Sequence, residues 1–314
     1  MSRINRFTAI VLVLFGQAIV QGQDDPAQDQ GPEIQMDHDI IAGMVCLATF
    51  DDVADLNLSS NQGWVSTAAT YRNAVERRDV KTHIQRPHVD IADGAGRLGD
   101  ALRFTGVSPQ VLFYRADEFH SGRLGFVAAC ELTLSIWVRL ATANSSMTTK
   151  DQSNSILVQL AQPESSGPTL GMELMRGGGQ NLGQAGDDLR LVLSDQPRDG
   201  TSELGEAISG QTLVRIRRPP LIDGRWHHLC LSIGHVKPLD AEQAKQTLAT
   251  LTMYLDGRRM GRSTLKRKMS FHFGDGALIL GHQFVGDIDQ LQVWGRVLSA
   301  QEVRRVYERP ELIR

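Results

Sequence analysis

The hydrophobic positions of the chain fall in short runs separated by turn-forming residues. From Ile40, "IIAGMVCLATF" is a continuous apolar run of strand length that stops at Asp51 and Asp52. After it come "DALRFTG", "LTLSIWVRL", "SILVQLA", "LRLVLSD", "TLVRIRR", "WHHLCLSI", "LTMYLDG", "ALILGH" and "DQLQVWGRV". Each is short and rich in Val, Ile, Leu or aromatics, and most are bounded by Gly, Asp, Asn or Pro, so each reads as a strand. In "YLDGRRM", Asp256-Gly257 tolerates the positive φ angles of a type I′ turn and predicts a hairpin. One helix is predicted near the end: Ser299 caps it, Glu302 reaches back from the third position, Val303 and Val306 share a side, and Pro310 stops it. There is no fixed-period repeat. Many strands, one short terminal helix and no helix–strand alternation predict an all-β sandwich or barrel. Between Ala141 and Pro220, "ATANSSMTTKDQSNS" and "RGGGQNLGQAGDD" read as loops that project from a rim or face, where binding groups concentrate.

The N-terminus has a different texture. Arg3 and Arg6 precede an apolar stretch from Phe7 to Phe15, and "VQG" at Val20 to Gly22 offers a cleavage site. A spanning helix needs about 20 apolar residues, and Gly16-Gln17 interrupts this run too early. Residues 1–22 therefore read as a cleaved signal peptide, and no cysteine follows to carry a lipid. Residues 23–39 are acidic and Pro/Gly-punctuated, a flexible linker, and residues 40–314 form the domain. No later segment is long and apolar enough to span a bilayer. The mature chain is expected outside the cytoplasm: extracellular, at the cell surface or periplasmic.

Composition narrows the partners. With 41% hydrophobic and 22% charged residues the chain is of globular type. A formal charge of −3 gives no drive toward nucleic acid or an anionic membrane. Cys46, Cys130 and Cys230 allow one bridge and a free thiol, or three buried thiols. A domain of this size does not need staples, which favours buried thiols.

The runs "CLATFDD", "GRLGDALRFTG", "LTLSIWVRL", "DGRWHHLCLSI", "LTMYLDGRRMG", "LILGH" and "FVGDIDQLQVWGRVLSAQEVRRVY" occur in the order seen in laminin-G-like jelly-roll domains of the concanavalin A-like lectin/glucanase superfamily. The resemblance covers roughly Ile40 to Pro310. It implies two antiparallel sheets packed face to face as a jelly-roll β-sandwich with a short C-terminal helix. It departs from the usual pattern between Asp52 and Gly94, and the stretch from Ala141 to Pro220 is enlarged.

Four chemistries can be weighed on this frame. In "DGRWHHLCLSI" a strand sets His228 and Cys230 on one face and His227 on the other. Zinc needs about four ligands, and His235, His272 and His282 are scattered singly. The stretch is therefore read as structural: Leu229, Leu231 and Ile233 face the core and His228 is hydrogen-bonded within the sandwich. Cys230 lies among apolar residues, where a thiol is inert. The superfamily's glycoside hydrolases carry paired carboxylates in E-x-D-x-x-E, about 5–9 Å apart. Here Asp287 and Asp289 share a face but the next position is Leu291, and the acids of "DEFH" and "GDDLR" read as loop residues without partners. No catalytic residue is assigned. The resemblance also implies calcium, since Asp51 and Asp289 match acidic positions near a sandwich edge, and the first and last strands of a jelly roll can pair. The alternative is that Asp51 closes a turn and Asp289 accepts hydrogen bonds from backbone amides.

The basic runs Arg215 to Arg218 and Lys266 to Lys268 could attract an acidic glycan but read as solvated surface cancelled by neighbouring acids. Asn57 and Asn144 match the glycosylation acceptor pattern. The expected function is a secreted non-catalytic recognition module that binds polysaccharide, stacking sugar rings on exposed aromatics, with Trp64, Tyr71, Phe113 and Tyr114 as candidates. The rival is a protein–protein adhesion or assembly module. A glycan-degrading enzyme is disfavoured by the missing acids.

Overall fold

A computed structural model describes residues 38–51, 66–68, 74, 81–82, 88–106, 111–115, 131–141, 155–161, 169–175, 188–194, 210–234, 248–266 and 277–313. The predicted signal peptide and nearly all of the linker lie outside them. A short helix α1 (His38–Ile41) is followed by strands β1 (Met44–Ala48), β2 (Ser66–Ala68), β3 (Lys81–Thr82), β4 (Val89–Ala92), β5 (Ala101–Phe104) and β6 (Val111–Arg115). Next come β7 (Leu132–Leu140), β8 (Ser155–Ala161), β9 (Thr169–Met175), β10 (Asp188–Ser194) and β11 (Gln211–Arg217). The chain continues with β12 (His227–Gly234), β13 (Leu248–Leu255), β14 (Arg258–Lys266), β15 (Ala277–His282), β16 (Gly286–Trp294) and helix α2 (Ala300–Glu308).

The strands form two antiparallel sheets. The first runs β14-β13-β12-β7-β16-β5-β4, with β1 also paired to β16. The second runs β11-β10-β9-β8-β15-β6-β2-β3. One apolar core takes alternate residues from both, such as Leu134, Ile136 and Val138 from β7 and Leu170, Met172 and Leu174 from β9. This is the expected two-sheet jelly-roll sandwich. Strand period alone explains the choice of residues, since alternate side chains leave opposite faces.

The outward face of the first sheet is buried at its centre. Trp294, Cys230 and Tyr254 form a second apolar cluster with Ile40 of α1 and with Val303 and Val306 of α2. Ser299 caps α2 in a full capping box with Glu302, as the sequence predicts. The Trp294 indole N–H donates to the Ile40 carbonyl at 2.7 Å, tying the N-terminal segment to the last strand. At the β13–β14 hairpin both Asp256 and Gly257 have positive φ, 50° and 70°, as a type I′ turn requires.

Two local readings are corrected. "IIAGMVCLATF" is not one strand: α1 ends at Ile41, and Gly43 at φ 81° turns the chain before β1 starts. Apolar content alone does not distinguish a helical turn from a strand start. The strand β9, "TLGMELM", is absent from the sequence reading, because Gly171 and Glu173 interrupt its apolar character.

Candidate functional site

The edge of β16 is shared by two strands. β5 pairs with it from Gly286 to Ile288, and β1 pairs with it from Leu291 to Trp294. Asp289 and Gln290 fall in the gap between them. There the β16 register against β7 slips, and Gln290 adopts φ 50°, a bulge that re-aims its neighbours. Into the gap come Asp51, three residues past β1, and the turn 93–100 between β4 and β5.

Asp289 is fully buried and accepts three backbone N–H groups. Its Oδ2 takes Arg97 at 2.7 Å and Leu98 at 3.1 Å, and its Oδ1 takes Gln290 at 2.7 Å. Asp51 Oδ1 accepts from the Asp100 N–H at 3.1 Å, and Asp100 in turn accepts from Gly94 at 2.7 Å. The turn passes so close that a Cβ on Gly96 would overlap the Asp100 carbonyl oxygen and lie 2.8 Å from Asp289 Oδ2. Burial pushes the Asp289 carboxyl up to about 7, the amide bonds oppose this, and the charge of Asp51 adds to it. The structure therefore brings the two sequence-predicted acids together, by the predicted pairing of first and last strands, and the backbone-amide bonds are present.

Calcium takes six to eight oxygen ligands. Among the described residues there is no group of three or more His, Cys, Asp or Glu side chains that could hold a metal ion. The corner supplies two carboxylates whose like charges oppose each other, beside backbone carbonyls of a tight turn.

Next to this corner the first sheet carries a charged and aromatic row. Asp287 lies between Arg103, 2.8 Å from Nε to Oδ1, and Arg139, 2.6 Å from Nη2 to Oδ2. The Arg139 guanidinium also packs 4.8 Å from the centre of the Trp226 ring. Trp137, two residues before Arg139 on β7, holds Arg97 at 5.0 Å and stacks on Tyr307 of α2 at 5.6 Å.

"WHHLC" is a strand, as expected, and its two histidines have opposite environments. His228 is fully buried against Trp137, with Nε2 2.8 Å from the Ser135 hydroxyl. Burial lowers it to about 4, and the charge of Asp256 only partly opposes this. His227 bridges two carboxylates, Nδ1 to Asp256 at 2.9 Å and Nε2 to Asp223 at 3.0 Å. The Asp256 bond, with that to Asp223, raises it above the ordinary histidine range against desolvation. Cys46 and Cys230 are free buried thiols pushed up by burial; Cys130 lies outside the described residues.

Phe113 and Tyr114 do not offer sugar-stacking surfaces. Both are fully buried, because β6 sits inside the second sheet between β15 and β2 and is packed on both faces. Trp64 and Tyr71 lie outside the described residues. Asp188 of "GDDLR" is not a loop acid without a partner: it is a buried residue of β10 whose Oδ2 accepts from Arg215 Nε at 2.6 Å. That pair also cancels part of the basic run from Arg215.

Sequence reasoning missed Gln159, Glu173 and Arg190 on the second sheet. Their signal is present in "SILVQLA", "TLGMELM" and "DLRLVLS", where a strand period sets the polar residues on the face opposite the core leucines.

The fold is a two-sheet jelly-roll sandwich, and part of the sequence is similar to a known family. Residues 182–304 match a laminin-G-like family model described as the concanavalin A-like lectin/glucanases superfamily. Three solved structures have a similar fold. A receptor binding domain superposes with TM-score 0.52 at 9% identity, over 87% of this chain and 52% of that one. The binding domain of botulinum neurotoxin DC in complex with SialylT gives 0.50 at 10% identity, over 87% and 52%. Domain 4 of AbnA, an extracellular GH43 arabinanase from Geobacillus stearothermophilus, in complex with arabinotriose, gives 0.49 at 12% identity, over 86% and 98%. The chain thus spans about half of the first two. No curated protein matches the sequence.

Proposed function

We propose that this chain is an exported, non-catalytic recognition module that binds carbohydrate, with calcium held at the Asp51–Asp289 corner. The observation that carries this reading is how four buried acids of the two sheets are engaged. Asp287 is held between two arginines, Asp188 by Arg215, Glu173 by Arg190, and Asp289 by three backbone amides. Carboxyl groups engaged in this way serve as scaffold and recognition groups rather than as an acid and base facing one cleft. The fold supports a binding role, since a neurotoxin binding domain in complex with SialylT shares it.

Adhesion through an apolar patch is the weaker reading. Among the described residues the exposed large hydrophobics are Met260 and Val297, far short of a patch of several hundred Å².

The test is to pass the chain from Gln23 onward over immobilised polysaccharides, first in calcium and then in chelator. Retention on one glycan class supports the module. Release or loss of thermal stability in chelator supports calcium at Asp51 and Asp289, and indifference to chelator removes the metal. Failure to bind any glycan overturns the carbohydrate reading in favour of a protein partner.

A further inference from the structure

The second sheet is apolar toward the core; its other face is apolar across β15, β6 and β2 and carries polar residues from β8 to β11. Directly paired residues of neighbouring strands share a face, so the register sorts the side chains. One row across β8, β9 and β10 is Gln159, Gly171 and Val192, and the next, across β9, β10 and β11, is Glu173, Arg190 and Arg215. The core leucines of the same strands point the other way.

This face is buried at its β8 end and incompletely satisfied. Gln159 is 1% exposed, and neither its Nε2 nor its Oε1 has a hydrogen-bond partner. The Arg190 Nε is also buried without a partner, and its Nη2 reaches Glu173 Oε2 only at 3.4 Å. A buried amide that makes no hydrogen bond has been stripped of water with nothing in return. Gly171 lies between these groups. A Cβ there would sit at ordinary contact, 3.5 Å from Gln159 Cγ, so the glycine leaves the space of one methyl group beside the unpartnered amide.

The row opens toward solvent at β11. Thr212, Arg215 and Arg217 are exposed there, and side-chain exposure falls from 49% at Arg215 to 16% at Arg190 and none at Glu173.

We infer that this face is a binding site for a neutral saccharide, entered from the β11 edge, whose hydroxyls pair with Gln159, Glu173 and Arg190. The inference rests on the carbohydrate reading above and names its site. A hydroxyl both donates and accepts, so it satisfies an amide, a guanidinium N–H and a carboxylate alike. The guanidinium beside the amide favours a neutral sugar: Arg190 already faces Glu173 and Arg215 faces Asp188, which leaves Arg217 at the exposed edge and, among the described residues, no unengaged cation next to Gln159. The site is separate from the Asp51–Asp289 corner, which belongs to the other sheet, so chelator does not contact it.

The experiment is titration calorimetry of the chain from Gln23 onward with soluble gluco-, xylo-, manno- and arabino-oligosaccharides and with an oligogalacturonate, in calcium and in chelator. At least one neutral oligosaccharide is expected to bind in both buffers. Gln159→Leu and Arg190→Met are each expected to weaken it tenfold or more, with near-ultraviolet circular dichroism unchanged. Gln159→Leu is also expected to keep or raise the melting temperature, since it removes an unpaired amide. Wild-type affinity in both variants would overturn this site while leaving the carbohydrate reading standing. A lowered melting temperature in Gln159→Leu, or selective binding of the oligogalacturonate, would also overturn the site. No binding of any saccharide, here or on immobilised polysaccharide, removes both.

Discussion

His227 and His228 are neighbours in the chain, yet burial holds one neutral and two carboxylates favour the charged form of the other. The His228 half of this contrast predicts a measurable pH dependence. The perturbation is His228→Gln, which keeps a hydrogen-bonding group near Ser135 and removes the titration. In the folded state His228 stays neutral down to about 4, whereas its ordinary value is 6.5. The unfolded chain therefore takes up the proton first. Stability is intact above about 6.5 and is lost as the pH falls from there toward 4. A difference of that size is worth about 3 kcal/mol. Asp289 acts in the opposite sense over part of the same window: its carboxyl, raised to about 7, is protonated in the folded state first, so folding gains as the pH falls below 7. The wild-type profile mixes these slopes, and the informative quantity is the difference between wild type and variant.

The assay is urea unfolding followed by tryptophan fluorescence at pH 7.5, 5.5 and 4.5, with chelator present throughout. The variant is expected to be less stable at pH 7.5, through lost packing against Trp137 and the altered bond to Ser135. Its deficit should shrink by about 2–3 kcal/mol by pH 4.5. A deficit constant to within about 1 kcal/mol would refute the reasoning, because His228 would then be hydrated or charged in the native protein.

His227 should show the reverse sign. Its stabilisation is fully present below about 6.5 and is lost as the pH rises through its raised folded value. In Asp256→Asn its imidazole midpoint, read by NMR, should fall; an unchanged midpoint would remove Asp256 as the main cause. Gly281→Ala should destabilise by roughly 3 kcal/mol, since a Cβ there would lie 2.2 Å from the Phe104 ring and the backbone has φ 64°; a melting temperature within a degree or two of wild type would contradict that packing. Ser299→Ala should cost about 1 kcal/mol through loss of the bond to the Glu302 N–H, and a silent substitution would mean that α2 is held by its apolar face alone.

Much of this protein is legible locally. Strand period sorted Leu229, Leu231 and Ile233 from His228 and Cys230, the Asp-Gly pair placed a type I′ hairpin, and Ser299 with Glu302 marked the start of α2. Each of these signals depends on residues within a few positions of one another, and backbone geometry reads them directly. The order of motifs also pointed to the jelly roll and to the meeting of Asp51 with Asp289. What the chain could not reveal alone is decided by partners distant in sequence. Phe113 and Tyr114 look like surface aromatics until β6 is placed between β15 and β2. Asp188 looks like a loop acid until β11 brings Arg215 against it. Gln159, Glu173 and Arg190 are three unremarkable polar residues on three strands, and the register of β8, β9 and β10 gathers them on one face around Gly171. The two histidines have the same chemistry in the sequence. They differ because burial and charge are set by what the rest of the fold packs around each ring.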